Sequence, residues 1–129
     1  MANALYDHGR EGFLDGSIDW DTDDIKMYLV DEGVDTIDLA NDSANSAVTS
    51  PVATSGNFGS KTVAAGVADA ANVTFSSVTG AQSESLSIFS NTASRLIANI
   101  DTATGLPVTP NGGDITVQWD DGANKIFKL

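Results

Sequence analysis

Short runs of alternating apolar and polar residues, each closed within a few positions by Gly, Asn, Asp or Pro, dominate this chain and restrict it to a β architecture. The clearest example lies near the C-terminal end. Ile115, Val117 and Trp119 fall on one face of an extended segment and Thr116, Gln118 and Asp120 on the other, because successive side chains of a strand point to opposite sides. Asn111-Gly112-Gly113 precedes this run as a turn. Asp121-Gly122 follows it, where a tight hairpin takes residues that tolerate positive φ. Phe127 and Leu129 then share a face with Lys125, and Ile126 and Lys128 take the other. This pattern predicts a C-terminal hairpin.

The same period recurs upstream. Ile25, Met27 and Leu29 alternate with Lys26, Tyr28 and Val30. Val52–Thr54 and Lys61–Ala65 read as short strands on either side of a Gly56–Gly59 turn. Val73 and Phe75 share a face, as do Leu86 and Ile88. Leu96, Ala98 and Ile100 alternate with Arg95, Ile97 and Asn99. Leu106-Pro107-Val108-Thr109-Pro110 must be extended, and cannot be a central strand because each proline lacks a ladder donor. Seven or eight strands at roughly 8–12-residue spacing predict an all-β fold, a β-sandwich of jelly-roll or Greek-key type. No internal repeat of fixed period accompanies them.

Helix is expected only at the N-terminal end. Residues 2–14 carry Leu5, Phe13 and Leu14 among polar residues and stop at Gly16, while Gly9 and Gly12 each weaken a helix by about 1 kcal/mol relative to Ala. The chain has 129 residues, the size of one domain. The expected organisation is a single sandwich over 1–129, with a short N-terminal helix or arm in 1–23 and a long surface loop region in 32–60. The first residues lack the basic and apolar stretches of a secretory leader. No stretch nears the ~20 apolar residues of a membrane helix, so a soluble protein is expected.

Cysteine is absent, which excludes disulfides, thiolate metal sites and a Cys nucleophile. The net charge is −12, and 12 of the 18 acids lie in residues 1–42 beside only Arg10 and Lys26. That segment carries about −10 and the other 87 residues about −2. Nucleic acid, whose binding depends on cations at phosphates, is not an expected partner. The acidic pole either serves solubility or faces a basic partner or cations.

Chemical motifs are weak. The single histidine, His8, sits beside Asp7 and Glu11 without a nucleophile elbow, and reads as an exposed helix residue. Asp19-Trp20-Asp21-Thr22-Asp23 matches the start of an EF-hand loop. Asp24 then stands where the turn needs Gly, and Val30 where a bidentate Glu belongs. A solvated acidic turn is expected there, with a weak non-EF calcium site as the alternative. Glu11, Glu32 and Glu84 occupy no context suited to paired-carboxylate hydrolysis. Gly56–Lys61 is a turn rather than a phosphate cradle, and Asn72-Val73-Thr74 is too short a match to use. Trp119 is expected in the core. Trp20 is either core or an interface anchor, since tryptophan is enriched at binding hot spots. No residue is assigned a catalytic, cofactor-binding or metal-ligating role, no cofactor is expected, and the chain is expected not to be an enzyme.

Both ends carry a family likeness. Met1–Asp7, Gly9-Arg10-Glu11-Gly12-Phe13 and Asp24-Ile25-Lys26 through Leu29-Val30-Asp31 resemble the start of small structural proteins of tailed-bacteriophage virions. Ser94–Ala98, Asp101–Pro107, Gly112–Ile115, Trp119-Asp120, Gly122–Lys125 and Phe127-Lys128-Leu129 resemble their ending. The likeness covers about two-thirds of the chain and is weakest over residues 32–60. In size and character the match is to capsid cement or decoration proteins. The resemblance implies a non-catalytic protein on the outer capsid surface of a virion, bound to the major capsid protein, associated with itself as a homotrimer, and free of nucleic-acid and membrane partners. The alternatives are a tail, neck or fibre-associated part, or a β-sandwich carbohydrate-binding module that would need Tyr6, Tyr28 or Trp20 exposed. The acidic excess, with Phe13 and Trp20 as apolar anchors, points to residues 1–31 as the contact-making segment, and residues 32–60 are expected to be an exposed loop.

Overall fold

The computed structural model describes residues 3–129. Residue 2 of the expected helix and Met1-Ala2 of the family-like start lie outside the described residues. The architecture is all-β and antiparallel, with one short N-terminal helix. The strands are β1 (Ala4–Leu5), β2 (Ile25–Val30), β3 (Ala53–Thr54), β4 (Thr62–Ala64), β5 (Val67–Asp69), β6 (Val73–Phe75), β7 (Ser85–Ser90), β8 (Arg95–Ile100), β9 (Ile115–Val117) and β10 (Phe127–Lys128); the helix α1 spans Asp7–Asp15.

A central five-stranded sheet runs in the order β1-β8-β7-β2-β3. Its apolar residues divide between two cores. On one face Ile25, Met27 and Leu29 of β2 and Leu86 and Ile88 of β7 pack against a second layer made of two small sheets, β10-β5-β4 and β6-β9. Val73 and Phe75 enter this core from β6, Ile115 and Val117 border it from β9, and Phe127 reaches it from β10. The alternation predicted for these segments therefore marks their inward faces.

The opposite face is also covered, which is why β7 is buried along its whole length. Val30, Phe89, Leu96 and Tyr6 form a second core beneath Ile37 and Val48. The cover is the 32–60 segment, expected as a surface loop region, which is irregular but pinned down by the buried Ile37 and Val48. The Asp35 carboxylate organises it by accepting from the Thr49 hydroxyl (2.7 Å), the Thr49 N–H (2.9 Å) and the Ser50 N–H (3.0 Å). Ser43 O accepts the Leu96 N–H at 2.8 Å. The segment holds only one 3₁₀ turn at Asn45–Ala47 and the two-residue strand β3, so it lacks the periodicity by which a covering layer is read from sequence.

Three expectations need correction. The N-terminal end is not a detachable arm. Leu5 pairs with Ala98 in β1, Tyr6 is fully buried, and α1 begins only at Asp7. The glycines that weaken α1 are what let it lie on β8: a Cβ at Gly9 would stand 2.7 Å from Ile97 O and 2.8 Å from Leu96 O. The predicted C-terminal hairpin also does not form. β9 pairs with β6 and β10 with β5, while Gly122–Lys125 only turns the chain between the two small sheets. Finally, β8 departs from strict alternation. Phe89 pairs with Leu96 but Ile88 with Ala98, so Ile97 is the extra residue of a β-bulge. Leu96 consequently joins one core, and Ile97 and Ala98 the other.

Candidate functional site

The feature that stands out on the surface is an apolar groove between α1, the acidic turn at 19–23 and the small sheet β10-β5-β4. Ile18 and Trp20 line its floor. Phe13, Val63, Phe127 and Leu129 form its sides, and the groove encloses about 400 Å³. Trp20 is only 4% exposed. Its ring meets Phe127 edge-on at 5.2 Å and Phe58 at 6.0 Å, and its indole N–H donates to Asp69 O at 3.1 Å. Burying a ring of this size contributes several kcal/mol at ~25 cal/mol per Å² of apolar area. The partner atoms thus identify Trp20 as core, which removes it as an interface anchor. Phe13 is half-buried, 5.7 Å from Phe127.

The rest of the groove is open. Val63 is 58% exposed and Leu129 is 59% exposed. β4 is the edge strand of its sheet, and its three residues are all exposed. Apolar side chains on an uncovered edge strand are a liability for a soluble protein unless something covers them.

The rim of the groove is acidic. Asp19 and Asp21 are exposed, and the interaction between their neighbouring carboxyls holds that of Asp19 below the usual range and raises that of Asp21. Two carboxyls in contact resist full ionisation, so this pair gains from a nearby cation. Asp23, the third acid of the EF-like run, turns inward, where its Oδ2 accepts from the Asp19 N–H (3.1 Å) and the Ser90 hydroxyl (2.9 Å). Among the described residues no three His, Asp or Glu side chains converge as metal ligands.

The other residues weighed from sequence are dispersed. His8 Nδ1 lies 2.8 Å from Glu11 Oε2 on the outer side of α1. Glu84 accepts the Glu32 N–H at 3.0 Å, so its carboxylate closes a loop. Lys61 braces the Gly56–Gly59 turn by donating to Asn57 Oδ1 (2.8 Å) and Phe58 O (3.1 Å). Trp119 is half-buried at the edge of the larger core and donates to Ala71 O at 3.0 Å. Tyr6 and Trp20 are buried, and Tyr28 stacks on Phe89 at 4.2 Å. Asn72 accepts the Trp119 N–H at 3.4 Å and Thr74 meets Thr116 at 3.1 Å.

A second, larger cavity of about 700 Å³ opens between the Ala103–Leu106 loop and β9. Its floor is the core itself, at Leu29 and Leu86, and it is bordered by the edge strand β9, whose apolar residues Ile115 and Val117 are half-buried against the core rather than exposed. Sequence reasoning did not single out Val63. The signal was present as the one large apolar residue of a short strand, but nothing local says that β4 is an edge.

No family of known sequences, no curated protein and no solved structure matches this chain.

Proposed function

We propose that this chain is a non-catalytic structural protein that docks on a larger protein assembly. By the resemblance of its two ends, that assembly is the shell of a tailed-phage capsid, which the chain decorates from outside and reinforces as a cement protein. One observation supports this reading above the others: an apolar groove bounded by an open strand edge and an acidic rim, which brings two of the exposed large apolar side chains, Val63 and Leu129, together on one surface. Such a surface offers contact area without chemistry, and apolar anchors inside a charged rim are the usual anatomy of a protein interface. The proposal includes self-association as a trimer. Phe13 and Ile126, apolar side chains that a subunit contact would use, are half-buried within the chain and so have only part of their surface to give.

The carbohydrate-binding alternative is not favoured, because two of its three candidate aromatics, Tyr6 and Trp20, are core residues. Co-sedimentation of the purified protein with shells lacking it tests the reading. Saturable binding of many copies per shell is expected. Binding of a few copies at a single vertex would move the protein to the neck or tail, and no binding would overturn the reading.

A further inference from the structure

We propose that the groove is filled by an extended segment of the partner protein, which adds a fourth strand to the outer edge of β4 and sets an aliphatic side chain over Ile18 and Trp20 and a Lys or Arg against Asp19 and Asp21. This rests on the groove being the docking surface.

The register of the small sheet carries the argument. Phe127 stands opposite Ala68, and Ala68 opposite Val63. Directly paired residues share a face, so these three form one row on the side of the sheet turned toward Trp20. The row ends at Val63 because β4 has no further neighbour among the described residues. A strand laid ~4.8 Å beyond it would extend the row by one side chain. That side chain would enter the open groove and replace water against Val63 and the floor. Backbone pairing would supply affinity independent of sequence, and the pocket would supply selectivity, as in other strand-addition contacts.

Charge fixes the second feature of the occupant. A residue two positions along the added strand points to the same side, toward the rim that Asp19 and Asp21 occupy. Lys61 acts on Asp21 electrostatically, but its ammonium is already bonded to Asn57 and Phe58. The surrounding segment, residues 1–42, carries about −10. An acidic occupant would meet this field at a cost, and a basic one would be drawn in and fixed in register.

The test uses the whole protein and short synthetic peptides of alternating Thr and Val in which one Val is replaced by Lys or, in the control, by Glu. Amide hydrogen exchange on the protein should show new protection centred on the Val63 N–H when the Lys peptide binds, since antiparallel pairing alternates and leaves this amide facing away from β5, with Thr62 and Ala64 already bonded to that strand. The Lys peptide should bind about five- to tenfold more tightly than the Glu peptide. The double substitution Asp19→Asn with Asp21→Asn, at two exposed positions, should bring that ratio close to one. An unprotected Val63 amide at saturating peptide, or equal binding of the two peptides, would overturn the proposal. So would protection of β4 that grows with protein concentration alone and tracks dimer in sedimentation, since the occupant would then be a second copy. Shell binding is measured in parallel. Shells bound without any peptide preference would defeat this inference and leave the functional reading standing. Peptide selectivity without shell binding would do the reverse.

Discussion

Ser85 and Ser87 lie on the same side of β7, both fully buried, yet they make opposite contributions. The Ser87 hydroxyl donates to Asn99 Oδ1 at 2.9 Å, which leaves its oxygen to accept from the Tyr6 hydroxyl at 2.9 Å. The Ser85 hydroxyl has no partner. A buried polar group left unpaired costs ~1–3 kcal/mol. Ser87→Ala should therefore destabilise by about that amount, because it strands the Tyr6 hydroxyl, while Ser85→Ala should be neutral or stabilising by up to about 1 kcal/mol. Paired urea melts of the two variants check this contrast. Burial also pushes the Tyr6 phenol up to about 12, against ~10 in the unfolded chain. The folded state then holds this proton more tightly, so its contribution is intact below pH ~10 and lost as pH rises toward about 12. Asp35 has the opposite sign. Burial raises its pKa, but the bonds from Thr49 and Ser50 outweigh that and hold it below the ordinary value. Its contribution is present above pH ~4 and is lost as pH falls through the folded value. Asp35→Asn should cost about 2 kcal/mol at pH 7 and flatten the acid side of the stability curve. None of this was legible in the sequence. Tyr6 looked like a surface aromatic and Asp35 like one acid among many, because their partners lie 81 and 14 residues away.

At the scale of elements, two local features decide whether the layers form. The first is the seat of α1 on β8. Gly9→Ala would drive a methyl into the Leu96 and Ile97 carbonyls, so α1 must lift, and a loss of about 2–4 kcal/mol is expected in chemical denaturation. Removal of residues 1–14 takes away β1, Tyr6 and most of α1, and should unfold the protein rather than free a tail. The second feature is the turn between β4 and β5. Ala64 pairs with Val67, and the two residues between them, Ala65 and Gly66, have φ of 52° and 78°. This is the mirror-image geometry that hairpins favour, but alanine tolerates it poorly. Ala65→Asn should raise stability by about 0.5–1 kcal/mol in a thermal melt with the fold unchanged. The same turn explains one limit of sequence reading. β2, β4, β6, β7 and β8 could be located from alternation, whereas Ala-Gly lacks the Asn-Gly or Asp-Gly signature and β5 went unseen. The C-terminal segment failed in the opposite sense. Its local signals fit a hairpin, but Phe127 goes instead into the aromatic group of Phe13 and Trp20, and β9 pairs with β6. Local pattern specifies that a strand exists and which face it buries, while its partner is set by long-range burial.

For the molecule as a whole, the all-β class and the short N-terminal helix follow from the spacing of strand and turn signals. The double-sided burial of the central sheet does not, since its second cover is an irregular segment. The proposed docking surface was legible only in part. Asp19, Asp21 and Phe13 belonged to the acidic N-terminal third expected to make contacts, but the exposed edge at β4 comes from the middle of the chain and is a consequence of sheet order. Because the rim is charged, binding through this groove should weaken as salt rises, most of all in association rate. The central claim is that this groove, and not the N-terminal segment alone, attaches the protein to its assembly. Its most direct test is the affinity of Val63→Asp for capsid shells that lack the protein. The position is exposed, so circular dichroism and solubility should match the parent chain, and shell binding should fall by about tenfold or more through a buried, unpaired charge. Unchanged binding by a folded Val63→Asp protein would contradict the account.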